Sequence, residues 1–154
     1  MGLSLAGAVV SLAILAPNVL LLFFRPVDSP PPTRSPWPLA WLERAGQALC
    51  LVVPALTGHR PGNPWWLTAT IICMVAYLGL WVRYLVTGRR FAALYERLGP
   101  VPVPMAVFPV AAFLFSAGWL GSWWVALSAV ILAVGHIPLA LGIARATRQL
   151  PPTP

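Results

Sequence analysis

Five long apolar runs, separated by short stretches rich in proline, glycine and arginine, dominate the pattern of this chain. They cover residues 3–24, 38–57, 65–87, 104–119 and 122–144. Each lies close to the roughly 20 residues that a bilayer-crossing helix needs, the fourth being short. Runs of this length must be helical, because hydrocarbon cannot satisfy open backbone groups. The pattern therefore predicts an all-α integral membrane bundle of five transmembrane helices, a single domain over residues 1–154. The first run begins without a basic segment and is too long for a signal-peptide core, so it reads as a retained helix.

The connections add detail. Residues 25–37 hold Pro26, Pro30, Pro31, Pro32 and Pro36, which predicts extended, non-helical chain. Residues 58–64 form a tight Gly/Pro/Asn turn. Residues 88–103 make the longest polar segment. A short interfacial helix is expected over 89–98, before Pro100, Pro102 and Pro104 lead into the fourth span. The connection at Leu120–Gly121 is very short.

Composition agrees with the pattern. Of 154 residues, 59% are hydrophobic and only 8% are charged, against roughly a quarter charged in soluble domains. The mean hydropathy is +0.81. A soluble globular domain and a disordered chain are both excluded. The net charge of +7 comes from ten arginines and no lysine. Those arginines cluster between the apolar runs, which points to membrane orientation and away from nucleic acid. Arg25, Arg34, Arg89, Arg90, Arg97, Arg145 and Arg148 share one side, whereas the other side holds Arg60 alone. By the positive-inside rule the N-terminus is outside and the C-terminus cytoplasmic, in a bacterial cytoplasmic membrane. Trp65, Trp66, Trp119, Trp123 and Trp124 fall at the outer ends of their spans, where an aromatic belt belongs. Trp37 and Trp41 mark the inner end of the second span. Cys50 and Cys73 lie in apolar runs without metal-ligand spacing, so neither a metal site nor a cofactor is expected.

Polar groups inside the spans are the candidates for function, because each is costly in lipid. They are Asn18, Glu43, Arg44, Gln47, Arg83 and His136, joined by Tyr77 and Tyr84. Asn18 lies six residues from the inner end of its span, about 9 Å at the helical rise. Glu43 has a similar depth, and Gln47 lies one turn deeper on the same face. Tyr77, Trp81 and Tyr84 share a face at i, i+4 and i+7. His136 is near mid-membrane, just before Pro138. The polar groups thus gather in the cytoplasmic half. Structural roles exist for each. Arg44 and Arg83 can snorkel to the interface. Asn18 can bond a carbonyl freed by Pro17. Tyr77, Tyr84 and His136 can serve helix packing. Glu43, the single carboxylate in a span, can pair with Arg44 or Arg83, or stand as a buried acid.

This set lacks a nucleophile–base pair, a metal cluster and a phosphate loop. One acid among aromatic faces fits proton transfer in an apolar cavity. Ring quadrupoles stabilise a passing cation, and a protonated carboxyl acts as a general acid. Protonation of an alkene followed by carbocation cyclisation uses these parts.

Five stretches carry a family resemblance: Ala16-Pro17-Asn18; Glu43-Arg44-Ala45-Gly46-Gln47; Trp81-Val82-Arg83-Tyr84; the segment from Val101 to Pro109; and Gly135-His136-Ile137-Pro138. Their order and spacing resemble a family of small actinobacterial membrane proteins. That family includes the membrane-bound terpene cyclases of indole-sesquiterpenoid (drimentine-type) pathways. The resemblance implies a prenylated small-molecule substrate, a farnesylated acceptor, cyclised after protonation of its terminal alkene. No diphosphate would be lost and no Mg²⁺ required. Glu43 would donate the proton, with Asn18 or Gln47 orienting it. Tyr77, Trp81, Tyr84 and Phe108 would line the cation path, Arg83 or Arg44 would meet the polar head, and His136 would be the terminal base. The aspartate motifs of soluble cyclases are absent.

Two other classes stay open. A small proton-coupled carrier or channel also uses an intramembrane acid, but needs a second polar layer in the outer half. An assembly subunit, or a homo-oligomer, would use small-residue faces such as Gly135–Gly142 and Ala140–Ala144 in the fifth span.

Overall fold

The computed structural model describes residues 2–28, 33, 35–58 and 62–149. Arg34, Arg60 and the prolines at 30–32, which entered the loop and orientation readings, lie outside these residues. The described chain folds into α1 (Leu5–Leu15), a 3₁₀ turn (Ala16–Val19), α2 (Leu20–Phe23), α3 (Trp37–Leu56), α4 (Pro64–Val86), a second 3₁₀ turn (Phe91–Leu94), α5 (Pro104–Leu120) and α6 (Trp123–Gln149). Four apolar stretches are long enough to cross a membrane: Leu5–Phe23, Trp37–Leu56, Pro64–Val86 and Trp123–Gln149. α5, at 17 residues, is a shorter apolar helix. The protein is an all-α membrane bundle.

Local chemistry sets the helix ends. The Ser4 hydroxyl accepts from the Gly7 N–H at 3.0 Å and caps α1. Asn63 caps α4 through the Trp65 N–H, again at 3.0 Å. Prolines occupy the first turn of α3, α4 and α5, where a missing N–H costs nothing. Gly121, at φ 61°, ends α5 in the left-handed conformation that glycine adopts freely. Pro17 has no N–H to continue α1, so the first span tightens into a 3₁₀ turn before α2 resumes.

α5 is the hub. It packs on α4 and α6, and also touches α1 and α3. Its many buried positions include Val110, Phe113 and Ser116. A helix wrapped by protein can be shorter than one that faces lipid. The most extensive helix–helix contact in the bundle is between α3 and α6. A methyl group on Gly46 would collide with the Leu132 backbone, and one on Gly135 with the Glu43 backbone. The outward faces stay apolar: Val9, Leu12, Ile72, Val75, Val130 and Val134 are all exposed. Water would not tolerate so continuous an apolar surface, but lipid does.

Three expectations change. The interfacial helix over 89–98 is replaced by the single turn Phe91–Leu94 and a tight reversal at Leu98–Val101, closed by two 3.0 Å backbone bonds. Gly88 and Gly99, both at positive φ, and Pro100 leave no room for a regular helix. This segment also folds back onto the bundle. The Asp28 carboxylate accepts from the Phe91 N–H, and Leu94 is buried against the α4 aromatics. Second, the helix that carries the fifth span continues beyond it to Gln149, because nothing in 145–149 breaks it. Third, the small-residue faces are largely used within the chain. Gly135 meets α3, and Ala140 and Ala144 pack with Val103 and Ala106. Of these four residues, Gly142 alone faces open space.

Candidate functional site

The α3–α6 contact builds the centre of the site. Because the two glycines let the backbones touch, Glu43 and His136 meet across 93 residues of sequence, with Oε1 and Nδ1 2.5 Å apart. Such a contact requires a shared proton, donated by the carboxyl or by the imidazole according to the tautomer. Their side chains remain 25% and 27% exposed, so the pair is reachable and not sealed. Neither arginine considered as a partner for Glu43 is ion-paired with it. Arg83 instead donates to the Ala93 carbonyl and pairs with Glu96, both at 3.2 Å.

The first span supplies the second polar contact. Its Pro17 break presents Asn18, whose Oδ1 accepts from the Tyr77 hydroxyl at 2.9 Å. Asn18 is therefore anchored to α4, and the contact to Glu43 is made by His136. Tyr84 fastens the same span by donating to the Phe24 carbonyl at 2.7 Å. Trp81 stands edge-on between the tyrosines, with centroids 6.3 Å from Tyr77 and 5.8 Å from Tyr84.

Two adjoining cavities open here. The inner one, about 180 Å³, is bordered by Asn18, Glu43, Tyr77, Trp81, Tyr95 and His136. The second, about 580 Å³, is bordered by Asn18, Arg44, Gln47, Tyr77, Phe113 and His136. They share Asn18, Leu21, Tyr77 and His136 as common wall. Asn18, Gln47 and Leu51 on the rim are exposed, so this groove opens on the lateral surface between the first span and α3. Typical ligand pockets occupy roughly 300–1,000 Å³. The inner cavity alone is too small for a long chain, and the groove supplies the remaining space.

The structure thus gathers Glu43, His136, Asn18, Tyr77 and Trp81 around the inner cavity and brings Gln47 to the groove. Arg83, Tyr84 and Phe108 do not border either cavity. Arg83 turns to the 91–96 segment, Tyr84 to the end of α2, and Phe108 packs between two core clusters. Sequence reasoning missed Tyr95, Leu94 and Met105, which border the inner cavity. The signal was the apolar Phe91–Tyr95 stretch inside an otherwise polar connection. Burial, and then the nearby Glu43 charge, push the Tyr95 phenol above its ordinary range.

The other half of the bundle differs. Three of its buried hydroxyls serve their own helices: Ser116 donates to the Phe113 carbonyl, Ser128 to Trp124 and Thr70 to Trp66, whereas those of Ser11, Thr57 and Ser122 have no hydrogen-bond partner among the described residues. Among the described residues no three His, Cys, Asp or Glu side chains come together, and Cys50 and Cys73 are free and buried. The chain matches no protein-family model, no curated protein and no solved structure.

Proposed function

We propose that the protein is a membrane-embedded cyclase that protonates the terminal alkene of a polyprenyl chain and closes rings through carbocations. The observation that carries this reading is the hydrogen-bonded Glu43–His136 pair at the meeting of an inner cavity and a lateral groove. A farnesyl-type chain dissolves in the bilayer and enters through the groove. The pair delivers its proton to one alkene carbon, and the π electrons form the new C–H bond. The adjacent carbon becomes cationic. Internal alkenes then attack in turn, each forming a C–C bond. Tyr77, Trp81 and Tyr95 offer ring faces to the moving charge. Loss of a proton to the pair, now its conjugate base, ends the sequence and restores the catalyst. Substrate and product have the same formula.

In this reading the arginine-bearing end is cytoplasmic, following the positive-inside rule, and the cavity faces that side. A carrier would need a polar path through the opposite half. Among the described residues that half carries no Asp, Glu, Arg or His side chain inside a span.

Purified protein is incubated with farnesylated indole-type acceptors and followed by liquid chromatography–mass spectrometry, beside Glu43→Gln. A product of unchanged mass and altered retention, absent with the variant, is expected. Absence of such a product from several polyprenyl acceptors, with folded protein, overturns the reading.

A further inference from the structure

A third cavity, about 560 Å³, lies between the 87–97 segment and the last turns of α6. Arg90, Arg97 and Arg148 border it, together with Thr147, Glu96 and Tyr95. The Glu96 charge is engaged by Arg83 at 3.2 Å. The three bordering arginines have no ion-pair partner among the described residues. The nearby C-terminus of α6 contributes about half a negative charge, which three guanidinium groups outweigh. Tyr95 borders this cavity and the inner one alike. A basic recess at one end of the bundle therefore adjoins an apolar recess that holds the acid.

We propose that the arginine cavity binds a phosphate-type anion, the head group of an amphiphile whose chain passes Tyr95 into the Glu43–His136 cavity. Guanidinium forks match phosphate oxygens in pairs. The basic recess beside the apolar one favours a chain that carries an anionic head over a neutral one. The placement of the tail rests on the cyclase reading, whereas the anion site stands on the arginines alone. Such a head group is retained through a proton-initiated cyclisation.

The test is equilibrium binding to the full chain in phosphatidylcholine nanodiscs. Radiolabelled farnesyl diphosphate is the probe, with inorganic diphosphate and farnesol as competitors. Diphosphate competes and farnesol competes poorly. Replacing Arg90, Arg97 and Arg148 together by Gln weakens binding about 100-fold, at roughly fivefold per charge. Replacing all three by Lys retains most of it, which separates lost charge from lost fold. Unchanged affinity in the Gln variant, or equal competition by farnesol, overturns the proposal. Phosphatidylglycerol in the disc distinguishes the source. If it displaces the probe, the site takes a lipid head group. If it does not, the site takes the prenyl ester. Tight binding with no cyclised product from any of the polyprenyl acceptors removes the cyclase reading and keeps the anion site, and cyclisation with arginine-independent binding does the reverse.

Discussion

The two ends of this bundle are built from similar apolar helices, yet they pack by different rules. At the tryptophan-bearing end, small residues seat one element on another. Gly7 lies against the Pro54 carbonyl, the Ser4 N–H bonds Ala55 at 2.8 Å, and Gly62 rests on Gly118. The hydroxyls of Thr70, Ser116 and Ser128 turn back on their own helices. At the arginine-bearing end, polar side chains bond between elements: Glu43 to His136, Tyr77 to Asn18, Tyr84 to Phe24 and Arg83 to Glu96. The three cavities lie among those contacts. A side chain that satisfies itself locally lets its helix close on a neighbour. One that reaches across, as Tyr77 does to Asn18 and Tyr84 to Phe24, holds the neighbour at a distance set by its own length, whereas Glu43 and His136 meet where glycines bring the backbones together. Space for a ligand is the result.

Breaking the pair at the polar end should have the largest effect. Glu43→Gln and His136→Gln each lower cyclisation by about 10²–10⁴-fold, the usual range for a lost proton-transfer group. The double variant should be no worse than either single one, because the two act as a unit. Initial rates of product formation check this, and additive losses would show that they act separately. Next comes the contact that creates the pair. Gly46→Val should destabilise the protein by about 3 kcal/mol or more, since the Leu132 backbone cannot yield easily. Thermal unfolding in detergent reads it. The Tyr77–Asn18 bond is smaller. Tyr77→Phe and Asn18→Leu should show a coupling of about 1 kcal/mol in a double-mutant cycle of stability. The smallest effect belongs to the other end. Ser128→Ala should change stability by no more than about 0.5 kcal/mol and leave turnover unchanged, because its hydroxyl bonds only the Trp124 carbonyl one turn back. A Ser128 effect as large as that of Tyr77 would erase the contrast between the ends.

The sequence made the helices legible because lipid imposes one rule along each span. Apolar runs mark the helices, and Ser4, Asn63, Gly121 and the first-turn prolines mark several of their limits. Glu43 and His136 were each visible as ionisable residues in apolar surroundings. Their partnership was not, since no periodicity links positions 93 apart and the glycines that bring them together read equally well as an outward face. Arg83 shows the opposite error. Its depth matched the candidate site, but it lies about 120° around the helix from Tyr77 at 3.6 residues per turn. It therefore meets the 91–96 segment. That segment hid Tyr95, because a loop that folds back onto a bundle shows the same polar composition as one lying on a membrane surface.

The length of α6 has a consequence for the host membrane. Its 27 residues span about 40 Å, against a hydrocarbon core of roughly 30 Å. Tilting to absorb the excess would take about 40°, twice the common value of about 20°. The other helices, packed alongside and shorter, oppose so large a lean. The end of α6 therefore stands clear of the hydrocarbon, carrying Arg145 and Arg148. A thicker bilayer would draw these charges toward the acyl chains, and a thinner one would leave them free. The same last turns of α6 form one wall of the arginine cavity, so that wall lies at the edge of the hydrocarbon.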